Sequence, residues 1–148
     1  MSVLQNDLTN EIKALFAAVE EEVFEDGIET SFSRQLVDLV NHHPNVVGIL
    51  GELIFDTTSK AELVGETLRW LGRIEDQATH QQRLQLLERG LTHSAASIRD
   101  AALLGLASMG DSQSIPALEQ AIAVESISHL RKNMLQVVEQ LNETASES

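Results

Sequence analysis

The chain has 148 residues, 43% hydrophobic and 22% charged, the balance of a folded domain and too apolar for a disordered segment. Ten Lys and Arg stand against 23 Asp and Glu, a net charge of −13, which argues against nucleic acid, since phosphate binding requires clustered cations. With no cysteine, thiol catalysis, disulfides and Cys-type zinc sites are excluded.

Apolar residues recur at spacings of three and four along most of the chain, which puts them on one face of successive helices. Leu8, Ile12, Leu15, Phe16, Val19 and Val23 form the first stripe, with Gly27 as its stop. Phe32, Leu36, Leu39 and Val40 form the second, with Ser31 or Ser33 as N-cap. Pro44 sits near the start of the third, which carries Val47, Leu50, Leu53 and Ile54. Thr57, Thr58 and Ser59 break it and cap a fourth, with Leu63, Trp70, Leu71 and Ile74. Leu84, Leu87 and Leu91 mark the fifth; Ile98, Ala102, Leu106 and Met109 mark the sixth, capped by Ser97. Gly110-Asp111-Ser112 reads as a turn, and Pro116 falls in the first turn of a seventh helix with Ile115, Leu118 and Ile122. The eighth carries Leu130, Met134, Val138 and Leu141, and the polar tail 143–148 is expected to fray. Hairpin dipeptides between alternating runs are missing, so no strand is predicted. The chain opens without a basic, apolar leader, and no run approaches the ~18 apolar residues of a membrane helix. A cytoplasmic protein without a membrane partner is therefore expected.

Helices this short, joined by turns of a few residues, suggest repetition. Displaced by 35 positions, Leu63, Leu68, Leu71, Ile74 and Asp76 fall on Ile98, Leu103, Leu106, Met109 and Asp111. Displaced by 32, Ile98, Arg99, Ala102, Leu106 and Met109 fall on Leu130, Arg131, Met134, Val138 and Leu141. The first helices follow suit: Val47, Leu50 and Ile54 fall on Leu84, Leu87 and Leu91, and those on Ile115, Leu118 and Ile122. Segments 44–76, 77–111 and 112–142 thus share one template. Segment 1–43 fits in length and matches weakly, as a capping pair with one solvent-facing side would.

The run Ile98-Arg99-Asp100-Ala101-Ala102-Leu103-Leu104-Gly105-Leu106-Ala107-Ser108-Met109-Gly110-Asp111, followed by Ile115-Pro116-Ala117-Leu118-Glu119-Gln120-Ala121-Ile122, resembles a HEAT repeat. It is most similar to the bacterial subtype first named from phycobilisome lyase subunits. The resemblance implies an all-α, single-domain α-solenoid (an ARM/HEAT-like superhelix) of about four antiparallel helix pairs, working as a binding platform without chemistry of its own. Independently, one such hairpin cannot bury its apolar face, whereas stacked neighbours share a continuous core.

Arg99 and Arg131 occupy the same repeat position. They are read as an architectural ladder to neighbouring turns, with Asp76 and Asp111 as acceptors, ahead of a cationic binding face. Asp38/His42 and Asp76/His80 are i, i+4 pairs, too few ligands for zinc, so these histidines are read as helix-end residues meeting terminal carbonyls or a nearby Asp. Serines cluster at turns, no GxSxG elbow is present, and Gly48-Ile49-Leu50-Gly51 lacks a following Lys, so neither an acyl nucleophile nor a phosphate loop is expected. Trp70 and Met109 keep their stripes' spacing and read as core.

The resemblance implies that the second helices of the pairs line one face. The repeat shifts place Glu66, Arg69, Arg73, Leu104, Ser108, Gln136 and Gln140 along it, Leu104 standing where the template expects a polar residue. The other candidate is the acidic cluster Glu20, Glu21, Glu22, Glu25, Asp26 and Glu29, in a 30-residue segment of net −7. From it, Glu21, Glu22, Glu25 and Asp26 are taken as contacts for a basic partner. The expected function is a non-catalytic protein-interaction module or adaptor, without cofactor or metal, binding a protein through the second-helix face or the acidic end. The alternatives are an acidic, immunity- or antitoxin-like inhibitor of a basic partner, and a tetrapyrrole-lyase or chaperone subunit.

Overall fold

The computed structural model describes residues 3–19, 24, 25, 27–56 and 59–147. Among them lie eight α-helices and no strand: α1 (Val3–Ala18), α2 (Ser31–His42), α3 (Val46–Ile54), α4 (Ala61–Arg73), α5 (His80–Gly90), α6 (Ala96–Met109), α7 (Ile115–Val124) and α8 (Ser128–Glu147). One-turn 3-10 segments, Gln77–Thr79 and Ser112–Ser114, lead into α5 and α7.

The even-numbered helices pack in series: α2 on α4, α4 on α6, α6 on α8. In the other row α1 packs on α3 and α3 on α5, and the rows are joined through α2–α3, α4–α5, α5–α6 and α7–α8. The result is an all-helical, solenoid-like stack, the arrangement in which each hairpin covers the apolar flank of the last. The core is one continuous cluster from Leu8 to Leu141, with Ile12, Leu36, Leu50, Leu68, Leu87 and Leu106 wholly covered. Phe16 and Phe24 bind the start of the chain to α2, their ring centroids 5.9 and 5.7 Å from that of Phe32.

The closest junction joins α4 to α6. A Cβ built on Gly72 would lie 2.2 Å from the carbonyl oxygen and 2.4 Å from the Cα of Gly105, so backbone meets backbone. Only a residue without a side chain permits that approach. The methyl of Ala101 extends the seam beside Gly65, and that of Ala102 faces Gly90 at the end of α5.

Several helix ends differ from expectation. Thr30, one position before Ser31 and three before Ser33, caps α2: its Oγ1 accepts from the Ser33 amide at 3.1 Å and Ser33 Oγ accepts from the Thr30 amide at 2.8 Å. Helix α1 ends at Ala18, well before Gly27, whose φ of +83° serves a separate turn; Val23 lies outside the described residues. Lys60 precedes α4, and Ser59 instead donates to the Leu53 carbonyl at the end of α3; Thr57 and Thr58 lie outside the described residues. Ala95 precedes α6, which leaves Ser97 inside the first turn. Helix α8 continues through the polar tail to Glu147, and Ser148 lies outside the described residues. There the hydroxyls of Thr144 and Ser146 donate to the carbonyls of Gln140 and Asn142 at 3.0 Å each, adding local bonds to the last turns. Pro116 and the left-handed Gly110 (φ +65°) stand where the sequence puts them.

Candidate functional site

The expected contact column runs along the even-numbered row, but its members sit at different depths. Glu66 is wholly covered, which corrects its assignment as a surface contact. The cause is its place on α4, the helix packed by α2, α5 and α6 together. Arg69 folds back one turn and donates from Nη2 to Glu66 Oε1 at 3.3 Å, its own side chain only 15% exposed. Next to it the Arg73 guanidinium lies 4.8 Å from the centroid of the half-buried Trp70 ring, within cation–π range. Glu66 thus holds Arg69 from beneath the surface, beside the separate Arg73–Trp70 pair.

Two clefts flank these side chains. One, of about 400 Å³ between α2 and α4, is lined by Glu29, Ser33, Arg34, Val37, Asp38 and Trp70. The other, also about 400 Å³, brings Arg73 together with Ser108 at the C-terminal ends of α4 and α6, beside Glu75, Asp76 and His80. Leu104 is half-buried, and Ser108, Gln136 and Gln140 are exposed. Trp70, assigned to the core by its spacing, is half-buried and reaches the rim of the first cleft. In the acidic cluster Glu25 and Glu29 are exposed, and Glu29 lies 3.9 Å from Arg34. Glu20, Glu21, Glu22 and Asp26 lie outside the described residues.

Of the two repeat-locked arginines, Arg99 has structural partners, though not the ones expected. Arg99 donates Nε and Nη2 to the two oxygens of Glu125, and Nη1 to the carbonyls of His93 and Ser94. Asp76 and Asp111 are therefore not its acceptors, because the reach is forward, to the turn of the following pair. Hydrogen bonds from Arg99 hold Glu125 below the ordinary carboxylate range against the opposing effect of burial, with the Ile127 amide adding to them. Arg131, one repeat on, is exposed.

His80 pairs not with Asp76, four positions before it, but with Asp111, Nε2 to Oδ2 at 2.7 Å. For Asp111 burial works against ionisation, but hydrogen bonds from His80 and Gln113 outweigh it and lower its pKa. Burial pushes Glu88 the other way, helped by the charge of Asp111. His42 Nδ1 hydrogen-bonds the Asp38 carbonyl at 2.8 Å, the helix-end role expected of it. No group of three potential metal ligands converges among the described residues, and none of their helices is long and apolar enough to cross a membrane.

Sequence reasoning passed over Arg83, which is only 1% exposed. It donates Nε to Thr79 Oγ1 at 2.9 Å, Nη1 to the Leu71 carbonyl at 2.8 Å and Nη2 to the Asp76 carbonyl at 2.8 Å. Burial lowers its pKa and the nearby Asp76 opposes that. This side chain closes the end of α4 and the turn behind it. Its one available signal was a cation at the core-facing spacing, one position before Leu84.

The fold and this face define a repeat-built helical protein with an ordered surface row. More particularly, residues 98–124, which span α6 and α7, match the family model described as PBS lyase HEAT-like repeat, in agreement with the resemblance read from the same run. No curated protein and no solved structure matches the chain.

Proposed function

We propose that this chain is a non-catalytic protein-interaction module that recognises a protein partner through the even-numbered row around α4 and α6. The observation that carries the reading is the ordering of large contact side chains before any partner arrives. Arg69 is bonded to a covered carboxylate, and Arg73 is stacked on Trp70. Arg and Trp dominate interface energies, and side chains already held lose less entropy on docking. The flanking clefts offer places for partner side chains, and exposed Glu25 and Glu29 offer a landing site for a basic one. The matched HEAT-like repeat supports an interaction role.

A photo-crosslinking amino acid placed at Leu104 or Ser108, compared with one at Gln85 on the opposite row, tests this in the source cell. A discrete adduct from the first two positions, missing from the third and lost with Arg73→Glu, is the expected result. Equal capture from Gln85, or indifference to Arg73→Glu, would refute the reading.

The similarity to a PBS lyase HEAT-like repeat favours a second reading, a subunit associated with a tetrapyrrole lyase. Titration with an open-chain tetrapyrrole, followed by absorbance, decides it: no spectral change removes that reading and leaves the first intact.

A further inference from the structure

The internal repeat shows what each hairpin presents to the next. Leu68 on α4 and Leu103 on α6 occupy the same forward-facing position, and they are 0% and 2% exposed. Leu68 lands on the next hairpin: its side-chain Cδ1 lies 3.4 Å from where a Cβ of Gly90 on α5 would be, and its carbonyl oxygen 2.8 Å from that of Gly105 on α6. The next member of that column is Leu135 on α8, and it is 47% exposed. Arg131 beside it occupies the place of Arg99, whose guanidinium is held by a carboxylate in the following turn. The α7–α8 pair therefore carries an apolar contact and a cation of the kind that a following hairpin covers inside the stack.

The large apolar side chains left most exposed among the described residues sit at the two ends of the array. Val124, Ile127 and Leu135 belong to the last pair, and Ile28 to the turn between α1 and α2. At that first end, α1 and α2 enclose a groove of about 430 Å³ lined by Glu11, Ala14, Leu15, Ala18, Asp38 and Leu39. Aligned on their stripes, with Phe32, Leu36 and Val40 on Ile98, Ala102 and Leu106, Leu39 takes the place of Gly105, beside which the Leu68 carbonyl lies, so the groove falls where the next hairpin receives Leu68. The turn entering α2 carries Glu25 and Glu29, as the turn entering α8 carries Glu125. One end thus offers Arg131 and Lys132 with an apolar knob, and the other a groove of small and apolar side chains edged by Glu11 and Asp38, with Glu25 and Glu29 in the turn beyond it.

We propose that the chain associates head to tail with a second copy of itself, Leu135 of one copy entering the α1–α2 groove of the next and Arg131 meeting the acids at that end. The two helix rows then run on across the junction. A contact between unlike surfaces does not close on itself, so assembly continues beyond a dimer as concentration rises. The junction shares the acids at the first end with the landing site above but includes none of Arg73, Leu104 and Ser108, and it does not rest on that reading.

Sedimentation velocity over a range of concentrations tests the proposal with two blocked variants. Leu135→Glu spoils the knob and Ala14→Arg fills the groove with a like charge; both positions are exposed, and unchanged circular-dichroism melting confirms folding. The wild type should grow beyond a dimer, and each variant should weaken association by roughly tenfold or more. Because each variant keeps one intact end, an equimolar mixture should form a one-to-one dimer and stop there. A wild type that stays monomeric at every concentration reached overturns the proposal. So does an Ala14→Arg variant that still dimerises alone, which would make the contact tail to tail, or a mixture that stays monomeric.

Discussion

Arg99 and Glu125, 26 positions apart, meet in a two-point ion pair, Nε to Oε1 at 2.7 Å and Nη2 to Oε2 at 2.9 Å. Glu125 is almost wholly covered and also accepts from the Ile127 amide at 3.1 Å. Since Arg99 holds the carbonyls of His93 and Ser94 as well, one side chain ties the turns of two neighbouring hairpins. Removing Arg99 leaves a covered carboxylate without its cation, so Arg99→Met should cost about 3–5 kcal/mol. Replacing both, as Arg99→Met with Glu125→Leu, should restore most of that loss. Urea unfolding measures both; a double variant as unstable as the single would contradict this account.

The same pair sets an acid limb of stability. Glu125 has a pKa below its ordinary value in the folded chain, as does Asp111. As pH falls through the ordinary carboxylate range, the unfolded chain takes up these protons first, so stability rises with pH there. The contribution is complete above the unfolded value and is lost as pH drops through the depressed folded value. Unfolding free energy measured across this range should therefore fall on acidification, and Glu125→Gln should flatten the slope. An unchanged slope would mean that other carboxylates govern it.

Two glycine substitutions should move stability in opposite directions. At Gly72 a new methyl meets the Gly105 backbone, which cannot rotate away. Gly72→Ala should destabilise by about 1–3 kcal/mol or more through overpacking. At Gly48, an exposed position inside α3, nothing lies within 4 Å of the new methyl. Gly48→Ala should stabilise by about 0.4–1 kcal/mol through helix propensity and a less free unfolded chain. Thermal melts of the two variants give the signs directly.

Leu106, on the core face of α6, has no exposed surface. Leu106→Ala should cost about 2–5 kcal/mol, the lost transfer energy plus the cavity. A urea titration showing a change within about 0.5 kcal/mol, the range of surface sites, would contradict its place in the core.

The order of the eight helices was legible because their signal is local. A stripe such as Leu84, Leu87 and Leu91 can bury itself only as one face of a helix. The repeat shifts identified the helix positions in register, and the match at 98–124 falls on the run whose pattern was clearest. Helix ends were less legible: Thr30, Ser31 and Ser33 can all cap, and the choice depends on where the preceding chain arrives. The candidate face was legible as a column but not in depth. Periodicity shows the direction in which Glu66 points from its helix, not that neighbouring helices cover it on several sides.

Spacing of apolar residues along the chain was enough to specify helices, their number and their side-by-side stacking, because each requirement is met within one turn or one repeat. The pairing of polar groups needed the folded chain. Arg83 reaching the end of α4, His80 reaching Asp111 and Arg99 reaching Glu125 join residues 12, 31 and 26 positions apart. Their partners depend on the offset and angle between stacked hairpins, which the backbone contact of Gly72 with Gly105 helps to set. A glycine in the sequence reports only that a side chain is missing; what comes close enough to need that space belongs to the packed structure.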